Sequence, residues 1–167
     1  GTAGFISYDI VCNDNVVYDN NGYGINIEGF ANDSLTPSVS SNDIYGNGAS
    51  GDIDSHSLWV GNSFGVLIQE NYIHDNSARI GAASGSGVGI FLDYNASSTT
   101  PGENCIIRRN RIERQFTGST VSPALTASAG IIVLVQLSTV VEANLIVGCR
   151  NGISVGNGIT TDGTVVR

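Results

Sequence analysis

Glu28, His56 and Asp93 are acid–base residues at one position of three successive repeats, each three places after an isoleucine, and they are the candidate catalytic residues. If the repeats stack as parallel strands, neighbouring members of this set lie about 5 Å apart and the outer two about 10 Å apart. A histidine between two carboxylates suits acid–base catalysis, because the acids favour its protonated form. Two carboxyl groups about 10 Å apart also lie near the upper limit for an inverting glycoside hydrolase. Polar residues at strand ends are also ordinary solvated surface, and we favour that alternative.

Tyr18, Tyr45 and His74 form a second set, each three places after an asparagine, and Glu113 and Val147 continue it. Stacked rings on an exposed sheet present an apolar surface with polar edges, to which a sugar ring binds. The alternative is a self-stacking ladder, in which the rings stabilise the sheet through cross-strand pairs. The sequence leaves both interpretations open, so the three aromatic residues are candidate substrate-binding residues.

Arginine supplies all seven basic residues, and four of them lie close together at Arg108, Arg109, Arg111 and Arg114. Alignment of the repeats predicts three ion pairs, Arg109–Glu70, Arg114–Asp75 and Arg108–Glu142. Exposed pairs of this kind contribute less than about 1 kcal/mol each. Arg111 has only Tyr72 opposite it, so we predict that it stays free to bind a sugar carboxylate or to stack.

All of these positions depend on an internal repeat whose copies centre on Asn15, Asn42, Asn71, Asn110 and Asn144. The spacings between these framing asparagines are 27, 29, 39 and 34 residues. Each copy has short alternating runs of Ile and Val, broken by Gly, Asn, Asp and Ser, and no apolar residues at helical spacing. This pattern is typical of strands and turns. A repeat of strands alone cannot bury its apolar face, so the repeats are expected to stack as a solenoid.

A further strand follows in each repeat and is predicted to place one isoleucine in the core. The predicted column is Ile25, Ile53, Ile90, Ile131 and Ile153. Inward asparagines at the corners are expected to form one ladder from the framing residues and a shorter one from Asn20, Asn47 and Asn76. The predicted fold is therefore all-β, a single-stranded parallel β-helix of about five coils that each add about 4.8 Å along the axis.

This pattern resembles the right-handed parallel β-helix of the pectin-lyase-like superfamily, over nearly the whole chain. The resemblance implies a polysaccharide as partner and an extracellular, cell-surface or virion location, as in phage tailspikes. The stretch 151–156 is similar to the Gly-His-Gly-Ile-Ser-Ile-Gly motif of polygalacturonases, but Asn151 stands in place of the histidine and the paired-aspartate motif is missing. The Asp-Pro-His-Asp motif of alginate epimerases is also absent. No specific catalytic family is matched.

Composition narrows the classes of partner. The net charge of −8 argues against nucleic acid and against an anionic membrane surface. No apolar run reaches the length of a transmembrane helix. The three cysteines fall at three different positions of the repeat, without a CxxC pair, so we expect buried free thiols. We predict neither a metal site nor a cofactor.

The whole chain, residues 1–167, is predicted to be one β-helix domain. Ile10 is already in register with the repeats, and Gly163–Arg167 begins a further coil. Solenoid ends without polar caps expose strand edges, so we expect a segment of a longer solenoid whose ends are covered by flanking coils or by a subunit of a homo-oligomer.

The favoured function is binding of a polysaccharide. The alternatives are a polysaccharide hydrolase, lyase or epimerase that acts through a surface groove, and a purely structural shaft or assembly module.

Overall fold

A computed structural model describes residues 10–28, 37–48, 56–76, 87–93, 102–115, 129–156 and 163–167. In these ranges the chain consists of strands joined by turns, and every strand pair is parallel. They contain no helix of the length and apolarity that crossing a membrane requires. The predicted all-β class with parallel stacking is therefore confirmed.

In the described ranges the strands form three parallel sheets and one short pair, and they are numbered here in chain order. The first sheet contains β1 (Val11–Asn13), β4 (Ser38–Ser40), β7 (Leu67–Gln69), β11 (Ile106–Arg108), β15 (Val140–Glu142) and β18 (Val165–Val166). The second contains β2 (Val16–Tyr18), β5 (Asp43–Tyr45), β8 (Tyr72–His74), β12 (Arg111–Glu113) and β16 (Leu145–Val147). The third contains β3 (Ile25–Glu28), β6 (His56–Gly61), β9 (Val88–Asp93), β13 (Ala129–Val133) and β17 (Asn151–Val155). The short pair is β10 (Gly102–Glu103) with β14 (Gln136–Leu137).

The chain passes through the first, second and third sheets in the same order in each repeat. Each strand bonds to the corresponding strand of the next repeat, so that residues far apart in sequence become neighbours. In the first two sheets the central residue of each three-residue strand points to the interior, as Ile44, Ile73 and Ile112 do with no exposed surface. The flanking residues then point outward because side chains alternate along a strand.

The two predicted asparagine ladders are present. In the first ladder, the Nδ2 atom of Asn42 donates to Oδ1 of Asn71 at 2.9 Å, and Nδ2 of Asn71 donates to Oδ1 of Asn110 at 2.9 Å. In the second, the Nδ2 atom of Asn47 donates to Oδ1 of Asn76 at 3.1 Å. These side chains are buried and satisfy one another as well as nearby backbone groups, as polar groups in a core must.

The third sheet corrects one predicted column. Ile25 pairs with Leu58, and Leu58 pairs with Ile90, so Leu58 occupies the place predicted for Ile53. Ile53 itself lies outside the described residues. Leu58 and Val60 both lie fully in the core. The observed register buries two apolar residues of the strand, Leu58 and Val60, whereas the predicted register would have buried Ile53, which lies between two aspartates in the sequence. The observed register therefore buries more apolar surface.

A close approach of the third sheet to the second explains the glycine that most repeats carry just before this column. A Cβ atom on Gly89 would lie 2.6 Å from the backbone oxygen of Gly130 and 2.6 Å from Cγ2 of Ile112. In the repeat that begins with Asn42, Ser57 takes the corresponding place, and its Oγ donates to Oε1 of Gln115 at 3.1 Å. The third sheet therefore packs closely against the second at this position.

The corner between the first and second sheets also has the same geometry in every repeat. The residue just before each framing asparagine has a left-handed backbone, with φ between 52° and 59° at Asp14, Ser41, Glu70, Arg109 and Ala143. This conformation costs an L-residue about 1–2 kcal/mol. The backbone N–H of each corner residue bonds to a carbonyl of the next repeat, which holds the corner in place.

Candidate functional site

The outward side of the second sheet has the richest set of polar and aromatic side chains in the described chain, and we call it the ring face. One row contains Tyr18, Tyr45, His74 and Glu113, in the register that the repeat predicts. The adjacent row contains Val16, Asp43, Tyr72 and Arg111. The alternation within three-residue strands therefore brings these side chains from four repeats onto one surface.

Three rings of the first row stack along the direction in which the strands pair. The centroids of Tyr18 and Tyr45 lie 5.2 Å apart with 7° between the ring planes, and those of Tyr45 and His74 lie 5.1 Å apart at 15°. Both faces of Tyr45 are covered by its neighbours, so this residue offers its ring edge and hydroxyl to the surface. Tyr18 is 53% exposed. The self-stacking ladder is thus present, and the binding role of these residues stays a prediction.

His74 is held from two sides. Its Nδ1 lies 2.8 Å from Oδ2 of Asp75, and its Nε2 lies 3.1 Å from Oδ1 of Asp43. The ring of Tyr72 also stacks on His74, with 4.2 Å between centroids. These contacts fix the orientation of the imidazole at the end of the ring stack. Asp43 was not among the predicted site residues, although its position two residues before Tyr45 places it on the same face.

Glu113 is the most buried charged group of the ring face, with 6% of its surface exposed. Arg111 donates to its Oε1 through Nε at 2.6 Å, and Arg114 donates to its Oε2 through Nη1 at 2.8 Å. The hydroxyl of Tyr72 donates to the same Oε2 at 3.2 Å. The hydrogen bond from Arg111, above all, lowers the pKa of Glu113, so this carboxylate is held ionised.

The prediction that Arg111 stays free is wrong. Its guanidinium pairs with Glu113, two residues along the same strand, as well as lying 5.1 Å from the ring centroid of Tyr72. The guanidinium reaches Glu113 because residues two apart in a strand point to the same side. The Arg111 side chain is nevertheless 58% exposed.

Two of the three predicted ion pairs are present. Arg114 binds Asp75 through two hydrogen bonds of 2.7 Å, and Arg109 lies 3.6 Å from Glu70. The bond from Arg114, followed by that from His74, holds the pKa of Asp75 well below its usual range.

The third predicted ion pair is wrong. Arg108 lies in register with Glu142. Its Nε donates to Oε1 of Gln69 instead, at 2.9 Å. Glu142 receives a bond of 2.9 Å from Arg167.

The acid–base set predicted on the third sheet is not assembled. Glu28 pairs in register with Gly61, and Gly61 with Asp93, whereas His56 pairs with Val88. His56 is buried, with its ring centroid 4.4 Å from that of Phe91. The physical reason is the register that Leu58 and Val60 impose on β6, which places Gly61 where the histidine was expected. Glu28 and Asp93 thus lie in register two strands apart, as predicted, but Gly61 lies between them instead of a histidine.

Sites for metal or thiol chemistry are not evident in the part of the chain that the structure describes. No three His, Cys, Asp or Glu side chains are grouped there so as to hold a metal ion. Cys12, Cys105 and Cys149 are free thiols. Burial raises the pKa of Cys105 to about 11, so this thiol stays protonated and unreactive at neutral pH.

Comparison of the chain with protein-family models, with curated proteins and with solved structures gives no match to any of them.

Proposed function

We propose that this protein is a non-catalytic carbohydrate-binding solenoid, and that a polysaccharide binds along its ring face. The row of Tyr18, Tyr45 and His74, stacked at centroid spacings of 5.2 and 5.1 Å, is the observation that carries the proposal. We further propose that the strands wind as a right-handed β-helix of about five coils, similar to the pectin-lyase-like superfamily. By the same resemblance, the place of action is extracellular, at a cell surface or on a virion.

An extended sugar chain that lies along the stacking direction would meet one aromatic side chain in each repeat. The exposed ring of Tyr18 offers an apolar surface to a sugar, and the tyrosine hydroxyls offer hydrogen bonds to sugar hydroxyls. Because His74 is fixed by Asp43 and Asp75, the row is ordered before the ligand arrives. Binding to an ordered surface loses less conformational entropy.

Arg111 borders the aromatic row and supports the same proposal. Its planar guanidinium is held by Glu113 and Tyr72 while most of the side chain faces solvent. A guanidinium fixed in this way provides N–H donors of defined direction for a sugar hydroxyl or carboxylate.

Binding of soluble polysaccharides to the whole chain tests the proposal. The Tyr18→Ala variant should lose at least about fivefold in affinity, because the exposed ring contributes contact area. It should lower the free energy of unfolding by less than about 1 kcal/mol, since Tyr18 stacks on Tyr45 alone and lies outside the core. Val11→Ala is the matched control, since Val11 is 65% exposed in the same repeat but lies on the first sheet. The proposal is wrong if no polysaccharide binds, or if Tyr18→Ala binds as tightly as the wild type.

A structural shaft or assembly module is the second candidate, and the covered faces of Tyr45 favour it. In that case the ring stack serves only to hold the repeats together, and no polysaccharide binds. In the enzyme alternative, catalysis would depend on Glu28 and Asp93 without the histidine, because His56 does not lie between them. Cleavage of a polysaccharide that is abolished by Glu28→Gln or Asp93→Asn would support the enzyme against both other functions.

A further inference from the structure

The adjacent row of the ring face alternates between apolar and charged side chains from one repeat to the next. In order across the second sheet, the row consists of Val16, Asp43, Tyr72, Arg111 and Leu145. Asp43 and Arg111 are therefore two strands apart, at a distance of about 10 Å. An aliphatic side chain or an aromatic ring lies on each side of both charged residues. The pattern thus repeats every two strands, although each strand comes from a separate repeat of the chain.

This row faces solvent in the part of the chain that the structure describes. Val16 and Leu145, at its two ends, are exposed. The side chain of Asp43 is 43% exposed, and that of Arg111 is 58% exposed. Tyr72 is half-buried and its hydroxyl is already a hydrogen-bond donor within the face, so its ring contributes apolar surface to the row. A ligand can therefore reach both charged groups.

Both charged groups are held in fixed directions. Oδ1 of Asp43 lies 3.1 Å from Nε2 of His74, and Arg111 donates through Nε to Oε1 of Glu113 at 2.6 Å. Each contact uses only part of the group, because a carboxylate has a second oxygen and a guanidinium has five N–H donors. Groups that are ordered before binding lose less conformational entropy when a ligand arrives. The row therefore offers an ordered acceptor and an ordered donor two strands apart.

An extended β-1,4-linked sugar chain has the same two periods as this surface. Its pyranose rings are joined through equatorial bonds at opposite ends of each ring, so the chain is nearly straight and advances by one ring length per unit. That advance is close to the centroid spacings of 5.2 and 5.1 Å in the row of stacked rings. Successive units are turned over about the chain axis, so units two apart present the same hydroxyl groups to a surface. An α-1,4-linked chain has an axial bond in every link and curves away from a straight row.

We infer that the ring face binds a neutral β-1,4-linked polysaccharide, with one sugar unit on each repeat. Identical hydroxyl groups, from two units separated by a turned-over unit, bond to Asp43 and to Arg111. A hydroxyl group suits both residues, because it can donate to a carboxylate and accept from a guanidinium. A uniformly charged chain is attracted by one of these residues and repelled by the other. This inference rests on the proposed function and specifies the linkage and the charge of the ligand.

Calorimetric titration of the whole chain with hexasaccharides tests the linkage. Cellohexaose and maltohexaose have the same composition and differ only in whether their 1,4 links are β or α. Mannohexaose and chitohexaose provide two further neutral β-1,4-linked chains. At least one of the three β-1,4-linked probes should bind at least about tenfold more tightly than maltohexaose. The tetrasaccharide of that probe should bind more tightly than its disaccharide, because each added unit meets a further repeat.

A charged hexasaccharide tests the preference for a neutral chain. A β-1,4-linked glucuronate hexasaccharide should bind at least about threefold more weakly than the tightest neutral probe. Asp43→Asn should reduce this difference, because the variant removes the like charge that faces the carboxylates of the ligand.

Variants test whether the ligand lies on the adjacent row. Asp43→Asn and Arg111→Gln should each weaken binding of the tightest neutral probe by about threefold or more, because each removes a charge-assisted hydrogen bond. Arg109→Gln is the matched control and should bind as the wild type does, since Arg109 is a similarly exposed arginine of the same repeat that lies beside Glu70 instead. Circular dichroism shows whether each variant is folded. If Arg111→Gln fails to fold, Asp43→Asn carries the test.

The outcomes separate this inference from the proposed function. The inference is overturned, and carbohydrate binding is retained, if maltohexaose binds as tightly as the β-1,4-linked probes or if the glucuronate hexasaccharide binds more tightly than they do. A folded Asp43→Asn variant with wild-type affinity for the tightest neutral probe also overturns it. If polysaccharides of other linkages bind in a manner that depends on Tyr18 while the β-1,4-linked probes do not bind, the inference falls and the proposed function stands. If no carbohydrate binds, both are wrong.

Discussion

The side-chain nitrogen of Asn71 donates a hydrogen bond of 2.9 Å to Oδ1 of Asn110, a residue 39 positions further along the chain. The same oxygen accepts the backbone N–H of Asn71 at 3.1 Å. In turn, Oδ1 of Asn71 accepts the backbone and side-chain N–H groups of Asn42. A single buried side chain therefore joins three repeats.

Replacement of Asn71 by alanine should be strongly destabilising. It leaves the donors of Asn42 and the carbonyl of Val39 without the partners that they have now. Buried groups of this kind cost about 1–3 kcal/mol each, so the free energy of unfolding should fall by about 3 kcal/mol or more. Urea denaturation measures the change. Asn15→Ala, at an exposed rung of the same ladder, should cost less than half as much, and equal losses would contradict this account.

Gly89→Ala should be destabilising by about 1–3 kcal/mol, because the added methyl group overlaps a backbone oxygen and the Ile112 side chain. Gly152 occupies the same position in a later repeat, but a Cβ atom there would meet nothing within 4 Å. Gly152→Ala should therefore leave the thermal midpoint nearly unchanged. A comparable loss in both variants would show that the close approach at Gly89 is not the cause.

Tyr45→Leu removes the central ring of the aromatic stack and should lower the free energy of unfolding by about 1 kcal/mol. Tyr45→Phe keeps the ring and should be nearly neutral in the same denaturation experiment. If both variants lose the same amount, the hydroxyl of Tyr45 rather than ring stacking stabilises the sheet.

Acid should weaken the fold through Asp75 and Glu113, whose pKa values are both lowered in the folded chain. A carboxylate with a lowered pKa stabilises the fold above its unfolded pKa of about 4, and this contribution is lost as the pH falls through the folded value. The free energy of unfolding should therefore decrease from about pH 5 downward.

The Asp75→Asn variant tests the source of this dependence, since it should show a shallower decrease over the same pH range. Arg114→Gln should flatten the curve in the same direction, because Arg114 is the main cause of the lowered Asp75 pKa. Curves for both variants that run parallel to the wild-type curve would rule out this ion pair as the origin.

The sequence was sufficient for the features that depend on the repeat alone. The framing asparagines, the row from Tyr18 to Glu113 and the Arg114–Asp75 pair all follow from aligning one copy with the next. The repeat could not decide between Ile53 and Leu58, since the chain before β6 differs in length from the other copies. Hydrophobic burial at Leu58 and Val60 decided that register.

Contacts within a single strand were also beyond reach of the alignment. The Arg111–Glu113 pair and the indole of Trp59 across Gly61 both join residues two apart on one face. Comparison between copies shows which residues are neighbours across the sheet, but it does not show in which direction a long side chain turns. Rotamers selected by packing determine those contacts, and they supply much of the candidate site.

The left-handed corners before the framing asparagines make the molecule adjustable in length. Since every corner has the same left-handed geometry, a chain that lacks residues 43–71 would join Asn42 to Tyr72 with the same dipeptide that Asn71 and Tyr72 form now. Such a chain should be shorter by one strand spacing, about 4.8 Å, and should bring Tyr18 directly against His74. Gain or loss of whole repeats would thus lengthen or shorten the ring face, while the geometry of each remaining corner and strand stays the same.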